Sequence, residues 1–171
     1  MAEKMLLIDG NSIAFRAFFA MHNQIDKFTN QNGLHTAAIY GFKLMLDHVL
    51  ANYQPDKALV AFDAGKQTFR TEMYADYKGG RAKTPTKLTE QLPYLHEMMH
   101  ACGIKTYQLA NYEADDIIGT LARLGDQAGD ETLIVTGDRD LTQLVTDNTT
   151  VAVTIKGVTQ TEMYTPAHFQ E

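Results

Sequence analysis

Thr132-Leu133-Ile134-Val135-Thr136 runs directly into Gly137-Asp138-Arg139-Asp140. A short, mostly apolar run with no polar alternation reads as a strand covered on both faces, which is the habit of parallel sheets. A glycine and two acids then follow at once. The same grammar appears at Met5-Leu6-Leu7-Ile8, which ends on Asp9-Gly10-Asn11-Ser12, and at Lys57 to Phe62, which ends on Asp63. Three buried strands, each closed by an acid, set the frame for the rest of the chain.

Helical patterns lie between them. Ile13 to Phe19 reads as a helix after a tight polar turn, completing a βα unit. Residues Asn23 to Gly33 are polar and loop-like. Ala38, Phe42, Met45, Leu46, Val49, Leu50 and Tyr53 repeat at helical spacing and stop before Pro55. A further helix starts near Thr86, with Leu88, Leu92, Leu95, Met99 and Cys102 on one face; Pro93 is expected to kink it. Gly103 closes it, and Ile104 to Tyr107 is a third strand. Thr150 to Ile155 and Val158 to Met163 form a hairpin about Gly157. Thr165-Pro166 opens one more helix at the end of the sequence, which predicts that the chain is part of a longer protein. Strands alternating with helices predict a three-layer α/β domain with a mainly parallel sheet.

The length of 171 residues suits one domain with a full core. There is no apolar run of about 18 residues and no signal peptide, so no membrane span is expected. Cys102 is the only cysteine, so an internal disulfide is excluded, and the protein reads as cytoplasmic.

Charge is unevenly spread. The net charge is −6, yet residues 66–87 hold six cations (Lys66, Arg70, Lys78, Arg81, Lys83, Lys87) against Glu72 and Asp76, leaving −10 on the remainder. Phe69, Tyr74 and Tyr77 are interleaved with those cations. Such a segment can neutralise phosphates and offer rings to unpaired bases; its plainer reading is a solvated loop.

The acids point to chemistry. Tyr112-Glu113-Ala114-Asp115-Asp116-Ile117-Ile118 puts three carboxylates in the first turn of a helix, with Asn111 as the expected N-cap. A helix dipole favours one or two acids there, but three so close repel one another unless a divalent cation sits among them. Ligands of open α/β sheets bind outside the carboxyl ends of the strands. Asp9, Asp63, Asp138 and Asp140 emerge at that edge, and the Glu113 helix starts there. Singly, each acid is an ordinary turn or cap residue; seven at one edge are not. Oxygen ligands without His or Cys fit Mg²⁺ or Mn²⁺, the usual partners of phosphate chemistry.

Leu-Ile-Asp-Gly-Asn at 7–11, Phe-Asp at 62–63, Tyr-Lys-Gly-Gly-Arg at 77–81, Glu-Ala-Asp-Asp at 113–116 and Thr-Gly-Asp-Arg-Asp at 136–140 together resemble the flap endonuclease family of 5′-nucleases. The likeness covers the whole chain, with all five motifs in family order, and is strongest to the bacterial members joined to a polymerase module. It implies a PIN-like fold over residues 1–171, with 66–87 as a basic arch. It implies hydrolysis of DNA at a free 5′ end or a 5′ flap in replication and repair, close to the nucleoid. Asp9, Asp63, Glu113, Asp115, Asp116, Asp138 and Asp140 would be ligands, direct or through water, of two metal ions. Lys78 and Arg81 match the family's catalytic cations at the scissile phosphate, and Arg16, Lys66, Arg70, Tyr77 and Lys83 would hold substrate. The family's helix-three-turn-helix and its Gly-Asp-x-x-Asp-Asn acids do not occur in this sequence.

Three rival readings stand beside it. His96-Glu97-Met98-Met99-His100 matches the H-E-x-x-H signature of zinc peptidases, but no third ligand follows in context. A haloacid-dehalogenase-like phosphatase needs an acid at position 11, where this chain has Asn11. A metal-stabilised nucleic-acid binding module without turnover is the third.

Overall fold

The computed structural model describes residues 3–20, 36–63, 86–109, 112–156 and 160–166. Lys4–Asp9 is β1 and leads into α1 (Gly10–Ala20); α2 (Ala37–Tyr53) leads into β2 (Lys57–Ala61). Two helical pieces follow, α3 (Thr86–Thr89) and α4 (Leu92–Ala101), then β3 (Lys105–Tyr107) and α5 (Ala114–Ala128). The last described third holds β4 (Glu131–Thr136), a 3₁₀ helix (Arg139–Leu144), β5 (Thr149–Lys156) and β6 (Gln160–Tyr164).

The strands form one sheet in the order β3-β2-β1-β4-β5-β6. The first five are parallel, and β6 returns antiparallel on β5. In this doubly wound order β1 is the point from which the chain winds out in both directions, and a crevice opens there at the carboxyl ends. Ile8 is in register with Val60 on one side and Val135 on the other. Residues that follow β1, β2 and β4 are therefore neighbours.

The alternation of side chains along each strand divides the core into two layers. Leu6, Ile8, Val60, Leu133 and Val135 face α1, α2 and α4, meeting Ile13, Phe42, Met45, Leu46, Leu95 and Met99. Met5, Leu7, Ala61, Ile134 and Val153 face the other way and are covered by Ile117, Ile118 and Ala122 of α5 and Leu141 of the 3₁₀ helix. The predicted three-layer α/β architecture is the one observed.

Several local expectations are corrected. The polar stretch after Asp9 is not a separate turn: α1 begins at Gly10. Gly10 allows this, because a Cβ there would lie 2.6 Å from the Phe62 ring. Pro93 does not kink a continuous helix. The helix ends at Thr89, and Pro93 sits in the first turn of α4, where its missing N–H has no partner to lose. Cys102 is past the end of α4 and exposed rather than packed. Phe18 is core, whereas Phe15 and Phe19 are 47% and 40% exposed and pack on each other at 4.5 Å between ring centroids. The return strand of the hairpin is Gln160–Tyr164, later than expected. The Asn23 to Gly33 loop and residues 66–85 of the basic segment lie outside the described residues.

Gln91 carries a role the sequence did not reveal. Thr36 makes no side-chain cap for α2. Instead the Ala38 and Ile39 N–H groups donate to Gln91 Oε1 at 2.9 and 3.3 Å, from a side chain with no exposed surface. Replacing Gln91 with Leu would bury two helix-terminal donors without partners, a loss of about 1–3 kcal/mol. Urea denaturation should show it as a lower midpoint at unchanged slope, and an unchanged midpoint would refute the cap.

Candidate active site

The site grows from the strand ends. Asp9, the last residue of β1, is 4% exposed, and Thr136 Oγ1 at the end of β4 donates to its Oδ2 at 2.9 Å. The Ser12 amide points at the other oxygen at 3.4 Å, so α1 delivers a backbone donor to the same carboxylate. Ser12 Oγ sits 3.2 Å from Thr136 Oγ1 and accepts the Gly137 N–H at 2.8 Å. The Asp138 N–H donates to Thr136 Oγ1 at 3.0 Å. Two hydroxyls thus stitch the β1–α1 junction to the chain leaving β4. Neither was singled out from sequence, although both stand inside quoted motifs.

Asp63, two residues beyond β2, is fixed from two sides. Its N–H donates to Asn11 Oδ1 at 2.8 Å, and its Oδ1 accepts the Ala114 N–H at 2.7 Å, the first amide of α5. Asn11, the residue that argued against a phosphatase, is therefore a positioning group for Asp63. The expected cap of α5 is corrected as well. Glu113, not Asn111, is the N-cap, in a reciprocal box in which the Glu113 N–H donates to Asp116 Oδ2 at 3.0 Å. Asp138 caps the 3₁₀ helix by accepting the Asp140 N–H at 2.9 Å.

These tethers bring Asp9, Asp63, Glu113 and Asp138 around Asp115. Burial first, and then the charges of Asp9, Asp138, Asp63 and Glu113, push the Asp115 carboxyl up to about 7 from an ordinary 3.8. Burial likewise raises Asp9 to about 6, opposed by its bonds to Thr136 and Ser12 and assisted by the Asp63 charge. Asp116 and Asp140 sit to one side. They line, with Asp115, Thr120 and Arg123, a neighbouring cleft of about 460 Å³ between α5 and the 3₁₀ helix. Among the described residues no three acids are arranged to grip an ion directly. An all-oxygen set at this separation suits a hydrated hard cation, since Mg²⁺ keeps several of its waters. The residues fit such an ion in chemistry.

Arg16 reaches the same region from α1. A Cβ built on Gly137 would lie 2.8 Å from Arg16 Cγ and 3.3 Å from its Nε, so the side chain lies across the turn that carries Asp138. Lys66, Arg70, Tyr77, Lys78, Arg81 and Lys83 lie outside the described residues. His96 is half-buried and stacks on Phe62 at 4.1 Å, and burial lowers its pKa; His100 is exposed.

A family model described as "5′-3′ exonuclease, N-terminal resolvase-like domain" matches residues 4–171. DNA polymerase I of Streptococcus pneumoniae is 58% identical over 169 residues, which is 99% of this chain and 19% of that protein. DNA polymerase I of Bacillus subtilis is 52% identical over 169 residues, with the same coverage of 99% and 19%. The chain thus spans about a fifth of the length of the curated relatives it matches. Among solved structures, T5 5′-exonuclease with bound divalent metal ions superposes with a TM-score of 0.70 at 23% identity, covering 98% of this chain and 60% of that one. Flap endonuclease-1 from Methanococcus jannaschii superposes with a TM-score of 0.55 at 14% identity, covering 95% and 56%. The likeness confirms the PIN-like fold. The zinc-peptidase, phosphatase and non-catalytic readings find no support among these matches.

The crowding of acids has a measurable sign in protein kept free of metal by a chelator. A carboxyl whose folded pKa is raised stabilises the fold fully below its unfolded value of 3.8, and that contribution is lost as pH rises through about 7. Asp115→Asn should therefore leave stability unchanged near pH 4 and raise it on the order of 1–3 kcal/mol at pH 8. Thermal unfolding across that range tests it; a pH-independent difference would rule out the charge crowding.

Proposed function

The chain belongs to the 5′-3′ exonuclease N-terminal domain family, and from that membership we propose that it hydrolyses DNA phosphodiesters at a 5′ end or the base of a 5′ flap. The proposed cofactor is Mg²⁺ or Mn²⁺, in two ions held by Asp9, Asp63, Glu113, Asp115, Asp116, Asp138 and Asp140, several of them through water. The observation that carries this is the meeting of Asp9, Asp63, Glu113 and Asp138 around a half-buried Asp115 at the carboxyl ends of the strands. Carboxylates forced together are stabilised by positive charge placed among them. Metal bound there would lower the pKa of the attacking water and neutralise charge on the attacked phosphate and the leaving oxygen.

The remaining roles fall to the chain's own side chains. Asp63 and Asn11 hold the start of α5 against the end of β2, which fixes Glu113 and Asp115 relative to Asp9. Thr136 and Ser12 keep Asp9 turned toward the crevice. Arg16 supplies a cation beside the Asp138 turn, suited to a backbone phosphate. Lys78 and Arg81 stabilise the charge that builds on the phosphoryl oxygens, a contribution of about 3 kcal/mol for each well-placed donor. Lys66, Arg70, Tyr77 and Lys83, in the arch of residues 66–87, hold the strand. In the whole protein a polymerase module would follow, and the setting would be the cytoplasm. No described helix is long and apolar enough to cross a membrane.

Titration calorimetry with Mg²⁺ and Mn²⁺ should register uptake that Asp138→Asn weakens, and no uptake would sink the metal assignment. In the whole protein, Asp138→Asn should abolish Mg²⁺-dependent cleavage of a 5′-flap DNA. Lys78→Ala should slow it about 10²–10³-fold with metal affinity kept. Equal losses of rate and metal affinity would instead make Lys78 structural.

A further inference from the structure

The cleft between α5 and the 3₁₀ helix, with its volume of about 460 Å³, has two unlike ends. Asp115, Asp116 and Asp140 line it, and all three belong to the proposed metal site, so the cleft extends that site. Arg123 lines it too, seven positions after Asp116 on the same helix, and Gln143 lines it from the 3₁₀ helix.

Helical period places these groups. Residues 116, 119, 120 and 123 share one face of α5, turned away from the buried Ala114, Ile118, Ala122 and Gly125. At 1.5 Å of rise per residue, Arg123 stands about 10 Å along the helix from Asp116. That is two turns, beyond the i,i+3 and i,i+4 spacings at which helix side chains pair. The acid within such a spacing of Arg123 is Asp126, whose Oδ1 accepts the Thr146 and Thr149 hydroxyls at 2.8 and 3.2 Å. Gly119 lies between the two ends. The nearest atom to a Cβ built there would be Leu144 Cδ2 at 3.6 Å, so the floor stays low where packing would admit a side chain.

Charge and shape suit the ends to different groups. Carboxylates repel a phosphate at the near end until metal is present. The Arg123 guanidinium at the far end is a planar fork of donors that matches phosphate oxygens, and the Gln143 carboxamide can add an N–H beside it. Phosphates recur along a polynucleotide. A strand of B-form DNA advances about 3.4 Å per nucleotide, so the 10 Å between the ends corresponds to about three nucleotides. A strand laid with one phosphate at the acids brings another to Arg123.

We propose that the far end of this cleft is a phosphate seat for the DNA strand being cut, with Arg123 as its cation. The proposal rests on the nuclease reading for the identity of the polyanion. It gives the strand a hold on α5 itself, outside the basic segment of residues 66–87.

The experiment measures binding of a 5′-flap DNA by the whole protein across a salt series, with Ca²⁺ in place of Mg²⁺. Arg123→Ala should weaken binding and make the slope of log affinity against log salt shallower by about 0.7–0.9, one phosphate's share. Arg123→Lys, which keeps the charge, should keep the slope. A neutral methylphosphonate placed in turn at each phosphate two to four nucleotides from the cut should make Arg123→Ala without effect at one of those positions. Calorimetric uptake of Mg²⁺ should be the same in Arg123→Ala and the unsubstituted protein. An unchanged salt slope, or a loss that persists with every methylphosphonate, would overturn the seat. Altered metal uptake at an unchanged slope would also overturn it, by making Arg123 a balancing charge for the acids. Cleavage by the unsubstituted protein with an unchanged slope sinks the seat and leaves the nuclease reading standing; a shallower slope without cleavage does the reverse.

Discussion

Mutual repulsion among carboxylates is the constraint around which this molecule is built. Five acids from four separate stretches meet where burial has already removed much of the water that would screen them, and Asp115 carries the consequence at about 7. The fold holds them there with donors it does not otherwise need. Thr136 and the Ser12 amide bind Asp9, the first amide of α5 binds Asp63, and the Glu113–Asp116 box ties down the helix that presents Asp115. Helix starts at Gly10 and Ala114 are part of this, because their free N–H groups and dipoles favour the negative charge placed against them.

Such a site needs its parts delivered from far along the chain, and the doubly wound order does so. β1 is flanked by β2 on one side and β4 on the other, so positions separated by more than 50 residues leave the sheet side by side. A bond such as Thr136 Oγ1 to Asp9, spanning 127 positions, closes only when the whole sheet is assembled. The acid cluster is therefore a product of tertiary structure. Long-range donors such as Thr136 Oγ1 hold it together with local ones such as the Ser12 amide, and Gly10 and Gly137 stand where Phe62 and Arg16 come too close for a Cβ.

The strands and the acids were legible in the sequence for one reason. Buried parallel strands are unbroken apolar runs, and a ligand edge shows itself as acids at their ends; Leu7-Ile8-Asp9 and Val135-Thr136-Gly137-Asp138 carry both signals in a few letters. What stayed hidden depends on contacts between distant segments. Gln91 looks like any polar helix residue until α2 is seen to begin against it. Thr136 and Ser12 look like turn residues until their hydroxyls are seen to meet at 3.2 Å. Helical spacing put Cys102 on an apolar face, but the helix stops one residue earlier. Phe15 and Phe19 lie exposed on α1, whose buried face is already filled by Ile13, Ala14, Ala17 and Phe18. Periodicity says which residues share a face. It does not say how wide the buried part of that face is.

Charge then orders the events that the proposed reaction requires. The body outside residues 66–87 carries −10, and five of its acids meet at the place where the proposed reaction would bring a phosphate. A phosphodiester approaching these acids alone is repelled, over a range of about 8–10 Å at moderate salt. The basic segment can attract a strand from farther out, but it cannot cancel repulsion between groups in contact. Only charge placed between the acids and the phosphate does that. Metal uptake and substrate binding would then be coupled, since charge that favours one favours the other. Catalytic geometry and binding become one electrostatic problem.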